Sequence, residues 1–391
     1  MKRIYLDHAA TTAMHPQVIE AIQDYLGRYF GNPSSLHGSG RKAKEAVDKA
    51  RTQVAQALGA QLSEIIFTSG GTESDNTAIK GIAWAMQEKG DHIITSKIEH
   101  PAVLEACGFL EKQGFRVTYL DVDKYGVVDP DDVNKAISNK TVLVTIMHAN
   151  NEIGTIEPIE EIGKVCHNKG VYFHTDAVQS FGSLDTDVNK LNVDLLSISA
   201  HKFYGPKGIG ALYIRRGTRL TPLIHGGSQE NHRRASTHNV PGIVGIGKAA
   251  ELAVKEKKER IAHSMKLRGR IIKIFELIEK THLNGHPEKR LPNNCHFTVK
   301  YVEGESMLLK LDNLGIEVAT GSACSSGSLK PSHVLLALGI DQVDTHGSLR
   351  LTVGRMTTGQ DIDYVAEKVP VVIDELRRMS PLWKKQETAL S

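Results

Sequence analysis

Between residues 60 and 215, short apolar runs recur at intervals too long for hairpins, and that spacing limits the possible folds more than any other feature. The runs are EIIFTS (64–69), HIIT (92–95), FRVTYL (115–120), TVLVTIM (141–147), VYFHT (171–175) and DLLSIS (194–199). Between them lie stretches of helical period such as PAVLEACGFLEKQG and PIEEIGKVCHNKG, each with Pro near its first turn and Gly at its end. Strand and helix in alternation predict an α/β fold with a mostly parallel sheet covered by helices on both faces. GIGALYIRR (208–216) follows a Gly-Pro-Lys-Gly turn and is expected to pair antiparallel.

The remainder follows a different pattern. From 243 to 280 a charged amphipathic stretch reads as one or two helices leading to a second unit. Fewer elements follow: NNCHFTVKYV, EGESMLLKLDNLG, IEVATGS, PSHVLLALG, SLRLTVG and a helix from about 358. At 391 residues the chain exceeds what one core usually serves. A large domain over 15–258 and a small one over 259–391, joined by the N-terminal segment 1–14, is therefore expected. No apolar run approaches the ~20 residues that span a bilayer. The start, MKRIYLDHAATT, has no apolar signal-peptide core, so no membrane association and a cytoplasmic location are expected. The net charge of +3 comes from interleaved charges. A local basic patch, KEKKER (255–260), reads as a solvated helix face, and nothing in the spacing supports nucleic-acid binding. The four cysteines, at 107, 166, 295 and 324, are too dispersed for a disulfide framework or a metal site, so no metal is expected.

In open α/β sheets ligands bind beyond the carboxyl ends of the strands, so the residues just after each run matter most. GGTES after the first run is either a plain strand-to-helix turn or a seat for an anion, with Gly71 bringing backbone close and Thr72 at a helix start. NNE (150–152) after TVLVTIM is either an Asx turn or a polar face on a cleft. Asp176 and Gln179 in DAVQ share a face if a helical turn begins there, and a buried strand-end carboxylate needs a positive partner. Lys202 in AHKFYGPKG is either an ordinary surface lysine or a Schiff-base lysine on pyridoxal phosphate, whose protonated ring nitrogen would be that partner. His100 in SKIEHPAV is a helix cap, or else an acid, base or stacking ring. Arg350 in SLRLTVG reads by pattern as an exposed strand residue.

Taken together, YLDHAATT, GNPSSLH, TSGGTESDN, EHPAV, NNEIGT, HTDAVQ, SAHKFYGPKGIGALYIRR, RLPN, EGE and GSACSSGSL resemble the NifS/IscS-type cysteine desulfurases of the class V aminotransferase fold, from residue 4 to about 380. The resemblance implies a type I pyridoxal 5'-phosphate fold, with Lys202 as the Schiff-base lysine, Asp176 on the pyridinium and His100 stacked over the ring and moving protons. It places Gln179 and Asn151 beside the phenolic oxygen, with Gly71, Thr72, Ser199 and His201 on the phosphate. It also implies that Asn151 and Arg350 meet the substrate, Arg350 gripping its carboxylate, and that Thr237 reaches the phosphate of the neighbouring subunit in a homodimer. L-cysteine as substrate and an iron-sulfur scaffold protein or other sulfur acceptor as partner follow from it too. Where many relatives read RRAGTEN this chain reads RRASTHN, so Ser236 replaces a Gly that positive φ would favour.

Cys324 stands among Gly, Ala, Ser and Thr only, in TGSACSSGS. Cys107 and Cys166 lie on periodic apolar helices and Cys295 on a strand, contexts that predict burial. In the resembled family the exposed thiol is the nucleophile that takes sulfur from L-cysteine as a persulfide, leaving alanine for the cofactor to release. An aminotransferase or selenocysteine lyase of the same fold would use Lys202, Asp176 and Arg350 equally well, and a non-catalytic sulfur carrier would use only the Cys324 loop.

Overall fold

β1 (Ile4–Tyr5) opens the chain, and the rhythm that follows becomes a seven-stranded sheet in the computed structural model, which describes residues 3–321 and 331–383. The strands are β2 (Ile65–Thr68), β3 (His92–Ser96), β4 (Arg116–Leu120), β5 (Thr141–Thr145), β6 (Tyr172–Asp176), β7 (Leu195–Ser199) and β8 (Gly210–Ile214). Their spatial order is β2-β8-β7-β6-β5-β3-β4. β4 to β7 and β3 run parallel, while β8 pairs antiparallel with both β2 and β7, as the turn before it suggests. Every residue of β2, β3, β5, β7 and β8 is buried, because helices cover both faces and leave no wet side to alternate toward. One face packs on the helices Gly38–Leu58 and Val240–Lys255, the other on Gly71–Met86 and Pro101–Glu111.

A three-stranded sheet and a two-stranded one lie apart from this, built from β9 (Thr281–Leu283), β10 (Asn294–Val299), β11 (Ile316–Glu317) and β12 (Ser348–Thr352). β10 lies between β9 and β12, antiparallel to both. β1 pairs parallel with β11, so both ends of the chain enter one core with Leu267, Phe275, Phe297, Leu349 and Ile373. The charged stretch forms two helices, Val240–Lys255 and Lys257–Glu276, that meet at Glu256. KEKKER is not wholly a solvated face: Arg260 turns inward, pairing with Glu256 and stacking 4.8 Å from the Tyr204 ring, because its long stem covers apolar surface there. Cys107, Cys166 and Cys295 are fully buried, and burial pushes each thiol up to about 12. Among the described residues no helix is long and apolar enough to cross a membrane.

Candidate active site

The carboxyl ends of the parallel strands open into a cavity of about 260 Å³ lined by Gly71, Thr72, His100, Asn151, Asp176, Gln179, Ser199, His201, Lys202 and Arg350. Residues 279 positions apart in the chain thus line one cavity (71 to 350), and most of them follow a strand. Cys324 lies outside the described residues. Thr237 is exposed and does not line this cavity.

Lys202 sits one turn beyond β7, and its Nζ donates to the Ala9 and Ala10 carbonyls at 2.5 and 2.9 Å. Gln179 Nε2 donates to the same Ala9 oxygen at 2.9 Å. Those carbonyls come from the segment after β1, which is pinned where Thr12 N donates to the His201 carbonyl at 2.9 Å. Asp176 ends β6, and its Oδ1 accepts the Val178 N–H at 2.8 Å. Burial pushes this carboxyl up to about 6, against that N–H and the nearby Lys202 charge. His100 caps the helix Pro101–Glu111, with Nδ1 accepting the Ala102 N–H at 3.1 Å. The ring therefore carries its proton on Nε2. Burial first, then the charges of Lys202 and His333, depress it to about 4, so His100 is the helix cap and also a neutral ring on the cavity. His201 is likewise lowered to about 4.

Arg350 corrects the pattern-based reading. It is 2% exposed in the middle of β12, with Nη2 2.8 Å from Asp7 Oδ1 and Nη1 donating to the Asn151 carbonyl at 3.1 Å. Alternation cannot mark a strand buried on both faces, so period alone gives an arginine there no side. Asn150 proves to be an Asx turn, its Oδ1 accepting the N–H groups of Glu152 and Ile153. Sequence reasoning missed Asp75, which lies inside the quoted TSGGTESDN but faces inward, 1% exposed, from the helix Gly71–Met86. It missed Asp7 as well, because its partner is 343 residues away.

Thr237 belongs to a strained segment. Glu230, Asn231, His232 and Ser236 all have positive φ, and Ser236 stands at 98°. A serine therefore occupies a conformation that suits glycine. Three groups bind Glu230: the Arg51 guanidinium at 2.7 and 2.9 Å, the Phe67 N–H at 3.2 Å and His238 Nε2 at 2.8 Å. Against burial, the bonds from His238 and Arg51 hold that carboxyl down at about 2. Arg234 adds a second anchor on Glu73 at 2.8 Å.

A lysine at a strand end, facing a buried strand-end carboxylate across a cavity with a helix start on one side, defines a pyridoxal-phosphate enzyme of the type I fold. The family model for class V aminotransferases matches residues 4–365, and the chain belongs to that family. Within it the chain belongs with the cysteine desulfurases. It is 57% identical over 389 residues to a cysteine desulfurase IscS of Methanosarcina thermophila, covering 100% of this chain and 96% of that protein. It is 57% identical to the one from Dictyoglomus turgidum, with 99% and 98% covered. Among solved structures, a NifS-like protein superposes with a TM-score of 0.90 at 39% identity, covering 96% of this chain and 100% of that one. The structure described as SspA in complex with cysteine superposes with a TM-score of 0.79 at 39% identity, covering 91% and 100%.

These enzymes depend on pyridoxal 5'-phosphate, and the residues present fit it. Asp176 and Asp75 are buried as neighbours, and the ring beside Asp75, His174, is held neutral by burial at about 3. A protonated ring nitrogen would add a positive charge to that of Lys202 here. A Cβ on Gly71 would stand 2.8 Å from Val178 Cγ2, so only the bare backbone leaves space there at the start of the helix. Among the described residues Arg350 Nε is buried without a hydrogen-bond partner, a donor of the type a carboxylate accepts from.

Proposed function

We propose that the chain takes sulfur from L-cysteine, holds it on Cys324 as a persulfide and leaves L-alanine. One observation carries the reading: Lys202, Asp176 and Arg350 line one cavity whose small-sheet wall continues to Gly321, three residues before Cys324. Bound there, the cofactor supplies an electron sink for the pair left at the α-carbon when its proton departs. Lys202 would hold the cofactor through Nζ, and Asp176 as a carboxylate would keep a ring nitrogen protonated. His100 presents Nε2–H as a proton donor on the cavity. Arg350 orients the substrate through its carboxylate, with Nη1 and Nη2 fixed by Asn151 and Asp7 so that the guanidinium cannot swing away. The Cys324 thiolate then forms a bond to the substrate sulfur as the carbon–sulfur bond breaks. The electron pair of that bond remains on carbon, which takes up a proton.

The same reading makes Thr237 a phosphate contact across a homodimer, consistent with its exposure and with the two anchors on its segment. The structure described with bound cysteine supports L-cysteine as substrate. The chain is proposed to act in the cytoplasm, passing sulfur to an iron-sulfur scaffold protein or another acceptor, with the large unit over 15–258 and the small one over 259–391 plus 1–14.

Mass spectrometry after incubation with L-cysteine tests the reading. One added sulfur on Cys324 is expected, and Cys324→Ser should retain bound cofactor yet lose sulfide release, because a hydroxyl is a poor nucleophile toward sulfur at neutral pH. Sulfide release by that variant at the parent rate would refute the assignment.

A further inference from the structure

Ser332 and the Gly321 backbone, on either side of the stretch that contains Cys324, both lie against one buried carboxyl group, that of Glu152. The Ser332 hydroxyl donates to Glu152 Oε2 at 2.6 Å. On the other side, Gly321 lies so close that a Cβ there would stand 3.1 Å from the same Oε2, 2.9 Å from His296 Nε2 and 3.2 Å from Ser348 Oγ. Only glycine admits the backbone at that distance, and its N–H donates to Ser348 Oγ at 3.1 Å. His296 is fully buried in the same corner, and among the described residues its Nε2 has no hydrogen-bond partner.

Glu152 is itself held from its backbone. Its N–H donates to Asn150 Oδ1 at 2.8 Å and its carbonyl accepts from Asn294 Nδ2 at 3.0 Å. The preceding residue, Asn151, lines the cavity and gives its carbonyl to Arg350. Ser332 in turn caps the helix His333–Ala337 by accepting the Leu335 N–H at 3.3 Å. A short chain of contacts therefore runs from the substrate-facing Arg350 through Asn151 and Glu152 to Gly321 and Ser332. Glu152 is 7% exposed and does not line the cavity.

We propose that Glu152 is a positioning residue for sulfur transfer, holding Ser332, with the Gly321 backbone packed against its carboxyl, in place relative to Asn151 and Arg350. The proposal rests on Cys324 as the sulfur acceptor. It assigns Glu152 to the transfer step and not to cofactor or substrate binding.

The holoenzyme is compared with Glu152→Ala, Glu152→Gln, Ser332→Ala and Cys324→Ser in a single turnover of L-cysteine. Two readouts are followed: the change in cofactor absorbance when L-cysteine binds, and the rate at which Cys324 gains one sulfur by mass spectrometry. Glu152→Ala and Ser332→Ala should slow sulfur gain by about tenfold or more, since misplacing reacting atoms by an ångström costs up to that order or beyond. The absorbance change should be the same in both. Glu152→Gln should recover most of the rate, because its amide oxygen still accepts from Ser332. Ser332→Ala removes one hydroxyl only and carries the test if Glu152→Ala fails to fold. Parent-rate sulfur gain in both alanine variants overturns the proposal alone, as does an absorbance change lost in step with the rate. Sulfide release by Cys324→Ser at the parent rate overturns the acceptor assignment and this proposal with it.

Discussion

The two walls of the cavity are built in different ways. On the seven-stranded side each functional group follows its strand at once: Thr72 after β2, His100 after β3, Asn151 after β5, Asp176 at the end of β6, and His201 and Lys202 after β7. On the other side Arg350 lies in mid-strand, and its partners come from β1's extension and from the loop after β5. The first wall is a set of local strand endings that parallel packing brings into line. The second exists only because the two ends of the chain fold together. The first should therefore govern cofactor chemistry, and the second substrate handling.

Lys202→Ala tests the first wall most severely. Turnover should vanish, and borohydride reduction followed by peptide mapping should find cofactor on Lys202 in the parent and on no lysine in the variant. Trapping on Lys207, which lies at a different cavity, would break the assignment. Asp176→Asn should come next, with cofactor retained and turnover reduced by roughly 10²–10³, the usual loss when a group facing developing charge is removed. Activity near the parent value would show that the ring nitrogen does not depend on this carboxylate.

The second wall should respond otherwise. Arg350→Lys should weaken L-cysteine binding by roughly 10–100-fold, since charged hydrogen bonds contribute about 1.5–3 kcal/mol each and an ammonium lacks the guanidinium fork. Cofactor absorbance should not change, and a variant that lost cofactor would erase the distinction between the walls.

Stability against pH sharpens the contrast on the first wall. Glu99, wholly buried between Ser96 and the Met147 N–H, is pushed up to about 8 by burial, with those bonds opposing. In the unfolded chain such a carboxyl loses its proton near pH 4.3. Between about pH 4.3 and 8 the folded form thus binds one more proton than the unfolded form, and stability falls as pH rises, by up to ~1.4 kcal/mol per unit, before levelling off. Urea midpoints for Glu99→Gln should show a shallower decline over that window. Parallel profiles for parent and variant would mean that Glu99 ionises normally.

The smallest effect is expected at Ser236. Replacing it with Gly relieves a φ of 98° and should change stability by no more than ~1 kcal/mol, with a slight gain in cofactor affinity if Thr237 depends on that backbone. Thermal melting and cofactor titration check this together. A clear destabilisation would show that the serine side chain stabilises the segment by more than the strain costs.

Much of this was written in the order of residues. The alternation of apolar runs and capped helices specified the parallel sheet, because burying both faces of such strands leaves only one arrangement of helices around them. Strand endings followed from it, so the order of residues already makes Thr72, His100, Asn151, Asp176 and Lys202 neighbours, as the cavity lining shows. The contexts of Cys107, Cys166 and Cys295 likewise announced their burial, the first two on periodic apolar helix faces and the third within a strand. Only the tertiary structure could decide what depends on distant segments meeting. It turned Arg350 inward onto Asp7, brought the Ala9 and Ala10 carbonyls to Lys202, placed Asp75 next to Asp176 and tied Gly321 and Ser332 to Glu152. The physical reason is that local periodicity records which face of an element is apolar, whereas a buried charge is tolerated only where a partner meets it, and that meeting is a property of the packed chain.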